Sequence, residues 1–138
     1  MDEHVKEWFD LAEMDYGVAK HLFDNYHPKP LEIICFHCQQ AAEKAIKAVI
    51  VSLGEQGGMP KLHDLSFLLG QVRNMTEIDE KYYDYADTLT PYGVSLRYPH
   101  ELFLEEYHAE QALKYAKEIM NWASNVVKTN EQSPTVTA

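Results

Sequence analysis

An all-α, up-and-down bundle of about five helices is the fold class this sequence predicts, on three observations. Apolar residues recur at three- and four-residue intervals over long stretches. Clusters of proline and glycine, in HPKP, EQGGMP and PYG, separate those stretches. No stretch of useful length alternates apolar and polar residues as a half-buried strand would.

The first helix is expected from His4 to about Asn25. Val5, Trp8, Ala12, Tyr16, Ala19 and Phe23 repeat on one side, and Asp2, Glu3, Glu7, Asp10, Glu13 and Asp15 crowd its first half. Acids suit a helix N-terminus, where the backbone dipole is positive. Asn25 and the prolines of NYHPKP end the helix and turn the chain back, so that a second helix forms a hairpin with it.

The stretch from Pro30 to Leu53 is the helix around which the rest is organised. Leu31, Ile34, Cys38, Ala41, Ala45, Val49 and Leu53 make its core stripe, while His37, Gln40, Lys44 and Lys47 follow one another along a polar edge. Glu43 stands one turn before Lys47, the favourable order for an ion pair. Pro30 suits the first turn, where a missing N–H costs nothing, and Gly54 suits a left-handed C-cap.

Three further helices are expected. His63 or Asp64 caps a short one carrying Leu65, Leu68, Leu69 and Val72. The next opens at MTEID, where Thr76 and Asp79 have capping-box spacing, and turns Ile78, Tyr82, Tyr85, Ala86 and Leu89 inward until Pro91 and Gly93 close it. The residues YGVSLRYP, 92–99, read as a packed connection, because three tyrosine and valine side chains and a leucine stand beside one arginine there. The last helix is expected from about Glu105 to Val127. The domain is therefore placed at 1–128, with the polar residues 129–138 as a disordered tail.

Composition excludes several classes of function. A chain of 138 residues makes one domain, large enough for a core without metal or disulfide staples. No apolar run reaches membrane-spanning length and the start, MDEHVKEWFD, is charged, so the expected location is the cytoplasm. A net charge of -10 opposes general attraction to nucleic acid or to anionic membrane. Any contact with a phosphate must be local, and Arg73 and Arg97 are the only arginines.

The chemical candidates are few. Cys35 and Cys38 have the Cys-x-x-Cys spacing, but they lie inside a helical run with no preceding strand and no second ligand pair. They read as packed thiols, and neither a metal nor a cofactor is expected. Among seven histidines, only His63 stands out, at the start of a helix it could cap. Arg97, alone in Leu96-Arg97-Tyr98-Pro99, either ties its loop to an acid such as Glu43 or points into a cleft. A site joining Arg97 to Gln40, Lys44 and Lys47, with His63 nearby, would suit a nucleotide or another phosphate.

Cys38-Gln39-Gln40-Ala41-Ala42-Glu43-Lys44-Ala45-Ile46-Lys47-Ala48, then Pro60 with His63-Asp64-Leu65, then Arg97-Tyr98-Pro99, together resemble the HEPN family (higher eukaryotes and prokaryotes nucleotide-binding domain). The likeness runs from Trp8 and the Ala12-x-x-Asp15 pattern to the last helix. It implies a five-helix bundle that forms a homodimer, often paired with a minimal nucleotidyltransferase in a toxin–antitoxin system. Members that resemble RNases carry an arginine followed, after four to six residues, by a histidine. Here Leu102, Phe103 and Leu104 occupy those positions. The resemblance therefore implies a nucleotide-binding or partner-binding module. The alternatives are a metal-independent RNase, using Arg97 with His100 or His108, and a purely structural dimeric interaction domain.

Overall fold

The computed structural model describes residues 2–54, 64–94 and 103–132. Five α-helices lie among them, with no strand: α1 (Glu3–Asn25), α2 (Leu31–Ser52), α3 (Leu65–Arg73), α4 (Glu80–Leu89) and α5 (Glu106–Gln132). A single 3-10 turn, Thr90–Gly93, follows α4. The all-α bundle read from the sequence is the fold.

The first four helices each start where an aspartate or a proline interrupts the preceding chain. Asp2 caps α1, its Oδ1 accepting the His4 N–H at 2.8 Å. Pro30 is the N-cap of α2, one position earlier than its expected place in the first turn, and its carbonyl accepts the Ile34 N–H at 3.0 Å. Gly54 follows α2 with φ at 78°, the left-handed conformation that a Cβ disfavours.

Asp64 caps α3, with one carboxylate oxygen accepting from Ser66 N and Phe67 N. The Leu65 N–H donates to Thr90 Oγ1 at 3.2 Å, and Ser66 Oγ donates to Asp87. The start of α3 is therefore tied to α4 as well as capped. Asp64→Ala removes the acceptor of two backbone donors and is expected to lower stability by about 1 kcal/mol, with Asp64→Asn nearly neutral. Urea denaturation followed by circular dichroism checks this, and equal losses in the two variants would show that the cap contributes nothing.

The expected capping box at Thr76 does not form. The N-cap of α4 is Asp79, whose Oδ1 accepts the Lys81 N–H at 3.0 Å, and Ile78 is buried ahead of the helix rather than within it. An aspartate immediately before the helical run satisfies the open donors directly, so the residue three places earlier has nothing left to cap. The last helix also runs further than expected, through Lys128 to Gln132. Asn130 Nδ2 donates to the Ser52 carbonyl at the end of α2, 3.3 Å away, which holds those turns against the bundle.

At the centre of the bundle lies α2, packed most extensively against α1 and α5. Ile34, Ile46, Ile50, Leu65, Leu68, Leu69, Leu89 and Ile119 are the largest fully buried apolar side chains. Burying each contributes about 1.5–3 kcal/mol. Thirteen of the 22 residues of α2 are buried, so this helix is enclosed on more than one face and its polar residues must find partners inside the protein. Among the described residues no helix is long and apolar enough to cross a membrane.

Candidate functional site

The polar edge of α2 is laid out as its spacing predicts, but the protein itself supplies its partners. Asp15 of α1 faces the edge and takes two bonds at once. Its Oδ1 accepts the His37 Nδ1–H at 2.8 Å, and its Oδ2 accepts Lys44 Nζ at 2.5 Å. The Asp15 side chain is 13% exposed and Lys44 23%, so solvent weakens this pair less than it would a surface one. His37 must carry its proton on Nδ1 here, because an ionised carboxylate only accepts.

One turn further along, Lys47 is buried rather than on the solvent edge. Its Nζ donates to Glu43 Oε2 at 3.0 Å and lies 5.5 Å from the centre of the Trp8 ring. Glu43 Oε1 accepts from Gln39 Nε2 at 3.1 Å, and Gln39 Oε1 accepts from Gln40 Nε2 at 2.7 Å. Gln39, Glu43 and Lys47 stand at successive four-residue steps, and all three are buried. Donors converge on one carboxylate, which is how a buried charge is kept in a bundle core.

The 3-10 turn closes over this network. A Cβ on Gly93 would lie 2.7 Å from Gln39 Cδ and 2.8 Å from its Oε1, so only glycine fits there without displacing the amide. Tyr92 beside it is buried, and burial pushes its hydroxyl up to about 12.

Of the residues proposed from the sequence, the structure brings Gln40, Lys44 and Lys47 onto neighbouring turns of α2. Arg97, His63 and His100 lie outside the described residues. His108 is in the first turn of α5, where its Nδ1 accepts the Glu105 N–H at 2.9 Å and its ring leans on Tyr107. That bond engages the ring at the start of α5, with Nδ1 as an acceptor. Cys35 and Cys38 are free, buried thiols. Burial raises Cys35 to about 12 and Cys38 further still, so neither is a thiolate near neutrality. No group of three or more His, Cys, Asp or Glu side chains among the described residues is placed to hold a metal.

Sequence reasoning placed Asp15 only in a pattern and not in the site. The signal was present, since Asp15 lies three residues after the buried Ala12 and four before the buried Ala19, an acid at core spacing. Gln39 and Trp8 were likewise not picked out as polar-network residues. The Glu43–Lys47 pair, read from its spacing, is present.

Comparison with known proteins adds the family. Three solved structures share the fold over most of both chains. An archaeal HEPN homologue, ST0689, has a TM-score of 0.70 and 25% identity, covering 91% of this chain and 99% of that one. TT1696 from Thermus thermophilus has a TM-score of 0.77 and 22% identity, with coverages of 91% and 99%. An HEPN domain protein from Thermotoga maritima, tm0613, has a TM-score of 0.68 and 25% identity, with coverages of 88% and 98%. No curated protein matches. The HEPN domain family matches residues 5–126, which takes in nearly all of α1, the polar network of α2, the 3-10 turn and most of α5; the chain belongs to the HEPN family.

Proposed function

We propose that this chain is a non-catalytic binding module, a homodimer that engages a protein partner of the minimal nucleotidyltransferase type, as one half of a toxin–antitoxin pair. The observation that carries this reading is the internal neutralisation of the α2 edge. Lys44 is held by Asp15 and Lys47 by Glu43, so a phosphate arriving at either ammonium must displace a carboxylate already bonded to it. Gln40 is uncharged and half-buried, with its Nε2 already donating to Gln39. This favours partner binding over nucleotide binding for the isolated chain. A nucleotide site would have to rest on Arg97 and His63. The RNase alternative through His108 is disfavoured by the cap that occupies its Nδ1.

A surface suited to a partner lies beside that edge. Leu11, Met14 and Val18 are exposed at three- and four-residue steps on α1, at 42%, 65% and 43%, and Asp15 stands among them. A helical stripe of this kind is a common dimer seam. We assign it to the second copy of the chain, which leaves other surfaces for the nucleotidyltransferase.

Sedimentation equilibrium tests the dimer. The wild-type protein is expected to be dimeric, and Met14→Lys, which places a charge in the seam, is expected to weaken association at least tenfold with helicity unchanged. A monomeric wild type at all concentrations would remove the dimer from the proposal. Co-expression with a nucleotidyltransferase tests the second partner. A nucleotide that raises the unfolding midpoint of wild type but not of Arg97→Ala would reverse the preference and favour the nucleotide reading.

A further inference from the structure

The bundle leaves room for a ligand away from the polar edge of α2. A cavity of about 350 Å³ lies where the end of α2, the α3–α4 connection and the last turns of α5 meet. It shares no residue with the Asp15 or Glu43 clusters. We propose that it binds an uncharged, flat heteroaromatic molecule carrying amide-like donors and acceptors.

The lining specifies that chemistry. Tyr82 and Trp122 form one wall, their ring centres 5.3 Å apart and their planes tilted by 34°. Leu53, Met75 and Val126 add aliphatic surface around the rings. Flat apolar walls of this kind hold a ring by stacking and by area removed from water. The hydrogen-bonding groups come from α5. Asn125 and Thr129 are one turn apart, and Asn130 has its amide N–H₂ engaged by the Ser52 carbonyl, which turns its Oδ1 into the acceptor available there.

Charge is what the described lining lacks. Among the described residues no Asp, Glu, Lys or Arg lines this cavity, in a chain of which 25% is charged. Beyond the Tyr82–Trp122 pair the groove widens into a second space bordered by Glu77 and Asp79, with Arg73 there already paired to Glu80 at 3.1 Å. A phosphate or carboxylate reaching that space would meet Glu77 and Asp79, while the cations beside it are engaged, Arg73 with Glu80 and Lys81 over the Tyr82 ring at 5.3 Å, in a protein whose net charge is already -10. The uncharged form of a ligand is selected over its phosphorylated form.

Two lining residues, Thr129 and Asn130, lie past residue 126, where the match to the HEPN family ends. The cavity is thus built partly from the stretch of α5 that extends beyond the family pattern. Its ligand goes beyond the partner-binding reading above and does not depend on it.

The protein has two tryptophans, which makes the test direct. In a ¹⁵N-labelled sample, Trp122 reports on this cavity and Trp8, packed over Lys47, reports on the polar edge. Adenosine and nicotinamide serve as uncharged probes, with adenosine 5′-monophosphate as the charged counterpart. At least one uncharged probe is expected to move the Trp122 indole N–H signal saturably while Trp8 stays fixed, and the monophosphate to bind at least tenfold more weakly than adenosine. Thr129→Phe, at an exposed rim position, fills the cavity without touching the core; it is expected to keep the spectrum of the folded protein and to weaken binding at least tenfold. A Trp122 signal unmoved by either uncharged probe overturns the proposal. So does a monophosphate that binds as well as adenosine, or an unchanged affinity in Thr129→Phe.

Discussion

Replacing Lys47 with methionine is expected to lower the unfolding free energy by about 3–5 kcal/mol, the cost of removing one partner of a buried ion pair. Glu43 and Lys47 are both buried, and their 3.0 Å contact lies inside the bundle rather than at its surface. Glu43→Leu is expected to cost a similar amount, because Lys47 then loses its carboxylate and Gln39 loses its bond to Glu43. The double variant Glu43→Leu, Lys47→Met removes both charges and fills their space with apolar atoms. It is expected to be less destabilised than the sum of the single changes by about 1–3 kcal/mol. Urea denaturation of the four proteins gives that coupling directly, and strictly additive losses would mean that the two residues act independently.

Gly93→Ala is expected to cost about 1–3 kcal/mol, the range for forcing an extra carbon into packed surroundings. Among the described residues, positive φ belongs to Gly54 and not to Gly93, so the cost is steric rather than conformational. The added methyl would sit 2.7 Å from Gln39 Cδ. Gln39 is fully buried and bonded to both Glu43 and Gln40, so it cannot swing aside without breaking those bonds. Shortening the obstructing side chain provides the control. In a Gln39→Ala background the Gly93→Ala step is expected to be nearly free, and an undiminished cost there would show that the glycine is required for some other reason.

Much of this architecture is written in local sequence. The ends of α2 follow from Pro30 and Gly54, the start of α3 from Asp64, and the stripes of α1 and α5 from their spacing, because each rests on contacts within a few residues along the chain. The missed features depend on contacts between distant residues. The final turns of α5 are polar and read as a tail, yet they are tied to the bundle by a bond from Asn130 to Ser52, 78 residues away. Asp15 meets His37 and Lys44 at separations of 22 and 29 residues, which no helical period reveals. Lys44 and Lys47 look alike on the edge of a helical wheel. They differ because α2 is covered on several sides, so one lysine reaches the rim and the other is enclosed beside Trp8. Thr76 and Asp79 both suit a cap by type, and position relative to the first helical residue decided between them.

The contact from Asp15 to two turns of α2 also bears on which arrangement of the hairpin the chain selects. The inward residues of α1 are small at Ala12 and Ala19, and those of α2 are small at Ala41, Ala45 and Ala48. Alanines at these positions resist a slide of α1 along α2 less than large side chains would. Val5, Trp8, Tyr16 and Phe23, on the same face of α1, oppose it by their size. A carboxylate that must reach both an imidazole and an ammonium adds a polar constraint on the same axial position, so Asp15 acts as a key to the register of the two helices.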